Sequence, residues 1–336
     1  MNMTKWFADL LAAERKGTMP ILSFPSISLL GVSVRELISD SDLQARGMKA
    51  VADRCPSAAS VSFMDLSVEA EAFGASVRFS DDEVPTVIGT LVADAGQAEA
   101  LAVPAVGAAR TGLYIDAIRK ASALISDRPV FAGMIGPFSL AGRLFDVNEA
   151  FILCYEDPGT VHLVLDKVTR FLIEYAKAYK AAGANGIVMA EPLAGLLSAD
   201  FCAEFSEPYV KRIIDAVKDD GFAVVYHNCG NNAIGEIESI LRVGASAYHF
   251  GNAIDMEEMM SHIPPDTLAM GNIDPAGQFM NGTPESIREA TRLLMWKCCH
   301  YPNFAISSGC DIPPLAPWAN IDAYFKAVNE YYDETI

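Results

Sequence analysis

Residues 223–232 read AVVYHNCGNN. The apolar run 223–226 predicts a buried strand. At its end stand His227 and Cys229, one residue apart and so on the same side of an extended backbone. The pattern returns downstream in residues 304–314, FAISSGCDIPP, where an apolar strand runs into a Ser-Gly turn that presents Cys310. One imidazole and two thiols at strand ends suit a borderline-soft ion such as zinc, and three protein ligands leave the fourth position open for chemistry. For the H-x-C pair alone, a satisfied core histidine beside an incidental thiol is the bland alternative. The equivalent placement of Cys310 favours the metal.

Working outward from these two stretches, short apolar runs alternate with long amphipathic segments. Eight candidate strands emerge, at 21–24, 60–64, 129–134, 186–190, 223–226, 247–250, 268–271 and 304–306. Eight strands with intervening helices predict an α/β fold of the TIM (β/α)8 barrel class. Residues 156–184 place Val161, Val164, Leu165, Val168, Phe171, Leu172 and Tyr175 on one helical stripe. Residues 284–297 do the same with Ile287, Ala290, Leu293 and Leu294. The segment 66–128 is longer than one helix requires and is expected to add elements over the barrel mouth. The chain's 336 residues, 51% hydrophobic and 20% charged, are expected to form a single barrel domain over 1–336.

In such a barrel, chemistry belongs at the C-terminal ends of the strands. The residues there are Asp65, Glu191, His227 and Cys229, Asn252, Asn272 and Asp274, and Cys310 with Asp311. The carboxylates Glu191, Asp65 and Asp274 are the catalytic candidates, with ordinary turn roles as the alternative. Glu191 has three readings: a fourth zinc ligand, a residue orienting His227, or a cap on the following helix. Residues 131–141, FAGMIGPFSLA, bring a strand into a Gly-Pro turn. Gly136 there would let backbone approach a ligand closely, unless this is a plain strand-to-helix turn. Cys298, Cys299 and His300 end a helix on the outer ring and do not form a site, while Cys55, Cys154 and Cys202 read as packing residues.

A formal net charge of −18 argues against nucleic acid as a partner. No apolar run approaches membrane-spanning length. The first 17 residues, MNMTKWFADLLAAERKG, read as an amphipathic helix and not a signal peptide. Seven cysteines without a compact framework suggest reduced thiols, and a cytoplasmic location is expected.

The chain resembles, over nearly its full length, the uroporphyrinogen decarboxylase superfamily. Within it, the similarity is to the cobamide-dependent methyltransferases typified by methylcobalamin:coenzyme M methyltransferase. The matching stretches are MDLSVEAEAFGA (64–75), GPFSLAG (136–142), EPLAGLLS (191–198), EPYVKRI (207–213), HNCGNN (227–232), GNIDP (271–275) and SSGCDIPP (307–314). The resemblance implies a catalytic zinc on His227, Cys229 and Cys310, and methylcobalamin on a corrinoid protein as the methyl donor. It also implies a small thiol such as coenzyme M as acceptor; Gly136, Asn252 and Asn272, from the turn and the strand ends above, are the candidate cofactor contacts. True decarboxylases carry an N-terminal R-Q-A-G-R signature, where this chain reads ILSFPSISLLG (21–31). Decarboxylation is therefore the weaker reading, and a non-catalytic barrel that binds zinc or a corrinoid is another. After the sixth candidate strand, relatives usually carry an acidic residue where this chain has YHFGN (248–252), with His249 and Asn252.

Overall fold

The computed structural model describes residues 1–335. Among these residues are nine strands: β1 Ser60–Val61, β2 Ser76–Arg78, β3 Thr86–Ile88, β4 Val130–Ile135, β5 Gly186–Ala190, β6 Ala223–Asn228, β7 Ala247–Phe250, β8 Ala269–Ile273 and β9 Phe304–Ser308. Seven form one parallel sheet in the order β1-β4-β5-β6-β7-β8-β9, curled into a half-barrel, which agrees with a TIM-like α/β fold. The other two, β2 and β3, pair as an antiparallel hairpin within the long 66–128 segment.

The expected strand at 21–24 does not form. Pro20 and Pro25 bracket it, and proline offers no ladder donor. The segment instead touches both edge strands through irregular bonds. Ala58 N donates to Thr18 O at 2.7 Å, Ile21 N to Ser308 Oγ at 3.0 Å, and Ser23 Oγ to Val61 O. Other boundaries move too: β1 stops at Val61, β4 is shifted by one residue, and β9 continues to Ser308. β6 runs on through His227 and Asn228, and β8 through Asn272 and Ile273, so His227 and Asn272 lie in strands and not after them.

Alternation along the strands divides the core in two. Val224, Tyr226, Tyr248, Phe250, Phe304 and Ile306 face the helices. Ala223, Val225, Ala247, Met270 and Ala305 face inward, where Met3, Phe7 and Leu10 of the helix Met3–Ala12 join them. The inward parity continues upward to His227, His249 and Ser307, so the polar end of the interior is fixed by the register of β6, β7 and β9.

The long helix Pro158–Ala181 starts on Asp157, whose side chain accepts from Thr160 N, and buries all seven residues of the expected stripe. In Pro284–Cys298 the buried stripe is Ile287, Thr291, Met295 and Cys298. Leu293, expected on that stripe, is 56% exposed. Among the described residues, no helix is long and apolar enough to cross a membrane.

Candidate metal centre

His227, Cys229 and Cys310 offer an imidazole nitrogen and two sulfurs that all lie within 4.8 Å of one another. A tetrahedral zinc with bonds of about 2.3 Å would hold sulfurs roughly 3.8 Å apart, so only a small contraction separates the set from a coordination sphere. Strands β6 and β9 are not neighbours, and two glycines let their ends converge. A Cβ on Gly251, just past β7, would lie 2.5 Å from Cys229 Cα and Cβ. One on Gly309 would lie 2.8 Å from Asn252 N. The end of β7 is thus pressed between the two cysteine-bearing turns, and no larger residue fits at either contact.

Hydrogen bonding sets which nitrogen of His227 is free. Its Nδ1 lies 3.2 Å from the carbonyl of His249, which can only accept, so Nδ1 carries the proton. His249 Nδ1, 2.8 Å away, must then accept from it. His249 Nε2 is left to donate to Ser307 Oγ at 2.8 Å, and that hydroxyl donates to Met19 O at 2.8 Å. Burial and the neighbouring His227 hold the His249 pKa well below the usual histidine value, which agrees with this neutral form. His227 Nε2, buried and without a partner, keeps its lone pair for a ligand.

One hydrogen bond links the two thiols and shifts them in opposite directions. A hydrogen bond from Cys310 lowers the Cys229 pKa against the effect of burial, while Cys310 is pushed up to about 12, first by that bond and then by burial. A divalent cation would resolve this conflict by neutralising both sulfurs. The donor set, the orphaned Nε2 and the spacing all fit a zinc ion.

The three donors line a cavity of about 250 Å³ with Ile21, Met64, Leu66, Ala190, Pro192, Arg143 and Asp311. Asp311 Oδ1 is buried without a partner, and burial raises its pKa well above the usual carboxylate range. Arg143 escaped the sequence reading. The available signal was a single cation in the helix Pro137–Phe145, otherwise apolar or small, where a charge must be buried or meet a ligand.

The other candidates are not brought to this cavity. Asp65 is spent on Arg110, on Tyr114 OH at 2.8 Å and on Ser67 Oγ at 2.6 Å, its side chain fully buried. Glu191, whose alternatives included capping the following helix, instead caps an earlier one. Its carboxyl oxygens accept from Phe138 N at 2.9 Å and Ser139 N at 3.3 Å, at the start of Pro137–Phe145. Gly136 does allow a close approach, but to Glu191: a Cβ there would lie 2.0 Å from Oε1. Asn252, Asn272 and Asp274 gather on a separate groove of about 330 Å³. Asn272 holds the carbonyls of Gly251 and Ile254 at 3.0 Å each, and Asp274 caps the turn at Ala276 and Gly277. Cys55, Cys154 and Cys202 are buried thiols whose pKa values burial raises, as packing residues would show.

A family model described as uroporphyrinogen decarboxylase (URO-D) matches residues 26–331. Methylcobamide:CoM methyltransferase MtbA of Methanosarcina acetivorans is 29% identical over 271 residues, covering 80% of this chain and 78% of its own. Uroporphyrinogen decarboxylase of Pseudomonas syringae pv. tomato is 26% identical over 289 residues, covering 83% and 80%. Among solved structures, a methyltransferase from Methanosarcina mazei has a TM-score of 0.88 at 21% identity over 99% of both chains. A B12-independent methionine synthase from a Shewanella species reaches 0.60 at 14% identity, covering 95% and 96%. At these identities, the two structures bear on the fold alone.

Proposed function

The chain belongs to the uroporphyrinogen decarboxylase family, and we propose that it is a zinc-dependent methyltransferase. It moves a methyl group from methylcobalamin, carried on a corrinoid protein, to a small thiol such as coenzyme M. The observation that carries this reading is the convergence of His227, Cys229 and Cys310 within 4.8 Å. The relatives named methylcobamide:CoM methyltransferase support it.

His227 through Nε2, and Cys229 and Cys310 through sulfur, would hold the ion and leave one position for substrate. Zinc bound there supplies the Lewis acidity that keeps a thiol as thiolate at neutral pH, where a free thiol of pKa about 8.5 is mostly protonated. The hydrogen-bond line through His249 and Ser307 keeps Nε2 bare and the ring oriented. The apolar wall limits water around the reacting sulfur. The methyl group leaves its donor without the bonding electrons, so the protein need not provide an acid. A tetrapyrrole bearing many carboxylates is a poor fit, because this cavity offers one arginine and an unpartnered Asp311.

Replacing His249 by phenylalanine removes the acceptor 2.8 Å from His227 and leaves only the carbonyl at 3.2 Å. Zinc affinity is expected to fall by about tenfold to a hundredfold. His249→Asn, whose side-chain oxygen can take the same N–H, should retain more. Competition with a chelating dye reads both, and a His249→Phe protein that holds zinc like the wild type would remove His249 from this role.

Elemental analysis and the absorbance of methylcobalamin in the presence of a thiol panel test the function itself. About one zinc per chain and thiol-dependent loss of methylcobalamin are expected. Carbon dioxide release from uroporphyrinogen without methyl transfer would overturn the reading. Zinc without turnover of any thiol would make the barrel a binding protein.

A further inference from the structure

We propose that Arg143 receives the anionic end of the thiol acceptor, so that the pocket selects short thiols bearing a carboxylate or sulfonate. This rests on the methyl-transfer reading and adds to it a recognition residue and a ligand charge. Arg143 lines the same cavity as His227, Cys229 and Cys310. The other eight residues of its helix are all buried, so the guanidinium is carried into the protein by an apolar element.

It has no counter-ion there. Its buried Nε has no hydrogen-bond partner, and among the described residues no carboxylate forms an ion pair with it within 4.0 Å. Glu69 and Asp65 are the carboxylates that bear on its charge, against the effect of burial. Asp65 is engaged with Arg110, Tyr114 and Ser67; Glu69 accepts from Ile135 N at 3.0 Å through Oε1, and its Oε2, though unpartnered, forms no ion pair with Arg143 within 4.0 Å. Arg110 shows the contrast, since its guanidinium is satisfied by Asp65, Glu71 and Ser67.

Arg143 itself is half-buried, with its Nε shut off from solvent and unpartnered, and a ligand anion would supply the acceptor that this donor lacks. Its planar fork of donors matches the paired oxygens of a carboxylate or sulfonate. The remaining wall is mostly apolar and suits the methylenes between sulfur and anion. At about 250 Å³ the cavity falls below the size typical for drug-sized ligands, which begins near 300 Å³, so a short thiol fits and a peptide does not.

Calorimetry of the zinc-loaded protein with 2-mercaptoethanesulfonate, 3-mercaptopropionate, 2-mercaptoethanol and cysteamine tests this directly. The two anionic thiols are expected to bind about tenfold to a hundredfold more tightly than 2-mercaptoethanol, the neutral analogue, with cationic cysteamine weakest. Arg143→Leu should erase that preference while leaving 2-mercaptoethanol unchanged, and Arg143→Lys should restore part of it. In turnover, Arg143→Leu should raise KM for the anionic thiols and spare kcat. If the wild type binds neutral and anionic thiols alike, or Arg143→Leu weakens both equally, the proposal is overturned and methyl transfer stands. Failure of methyl transfer itself is distinct: no thiol of any charge would demethylate methylcobalamin, and the binding series would still report on Arg143.

Discussion

Cys310→Ala is expected to emerge from purification without stoichiometric zinc and without methyl transfer, while melting as a folded protein. Cys310 follows β9 in a turn, and its thiol is one of only three strong donors in the group. A complete zinc site in a small domain is worth about 10–16 kcal/mol, so one thiolate of three protein ligands carries roughly 3 kcal/mol or more, at least a hundredfold in affinity. Removing it also leaves His227 Nε2 and Cys229 too few to hold the ion against a chelator. The fold should survive, because β9 is anchored by its ladder to β8 and by Ser307 and Ser308 to the segment around Met19 and Ile21, none of which uses the sulfur. Cys154→Ala is the matched control: it removes a buried thiol on a helix that is not among the cavity residues, and should leave zinc and activity alone. Metal content, a thermal melt and the methylcobalamin assay on the same preparations decide the matter. Full activity in a zinc-free Cys310→Ala protein would falsify the metal mechanism.

The same site shows what a sequence can and cannot disclose. The three donors were legible because H-x-C after an apolar run and Gly-Cys after another are local patterns, and the inward parity of β6 is local too. What holds them was not legible. That Gly251 and Gly309 press the end of β7 between the two thiols depends on the curl of the sheet. The proton order through His249 depends on a carbonyl met only in the folded register. Asp65, Glu191 and Asp274 look alike in sequence as carboxylates at strand ends. Arg110, 45 residues beyond Asp65, and the helix start at Phe138, 53 residues before Glu191, take the first two for structural work. The absent strand at 21–24 is the opposite case: its prolines were visible, and their loss of ladder donors outweighed the apolar run.

Stability of the metal-free protein is expected to fall as pH rises from about 5 to 9, the reverse of ordinary acid denaturation. The main source is Glu191. Its carboxyl has no solvent exposure, and burial pushes its pKa up to about 8, outweighing the bonds from Phe138 and Ser139 that pull it down. In the unfolded chain a glutamate titrates near 4.3. The folded pKa is therefore the higher one, and the folded state retains a proton that the unfolded chain has released between those two values. The contribution is full below the unfolded pKa and is lost as pH rises through about 8. Glu69, raised to about 7, and Glu236, raised to about 8, both by burial, act in the same direction, and together with Glu191 they outweigh His249, whose burial-lowered pKa opposes them only below about 6.5. At about 1.4 kcal/mol per pKa unit, the three units between pH 5 and about 8 give Glu191 alone on the order of 4 kcal/mol of this slope. Glu191→Gln cannot ionise, yet its side-chain oxygen can still accept from Phe138 N. The variant should be about 1 kcal/mol less stable than the wild type at pH 5, for the bond from Ser139 N, and roughly 3 kcal/mol more stable at pH 9, because its pH dependence flattens by about 4 kcal/mol. The measurement is urea unfolding of both proteins between pH 5 and 9 after chelation, since proton release on metal binding would add a slope of opposite sign. A wild-type stability that is level or rising over that range, or a glutamine variant that tracks it, would place the ionised carboxylate of Glu191 at the start of Pro137–Phe145 at neutral pH.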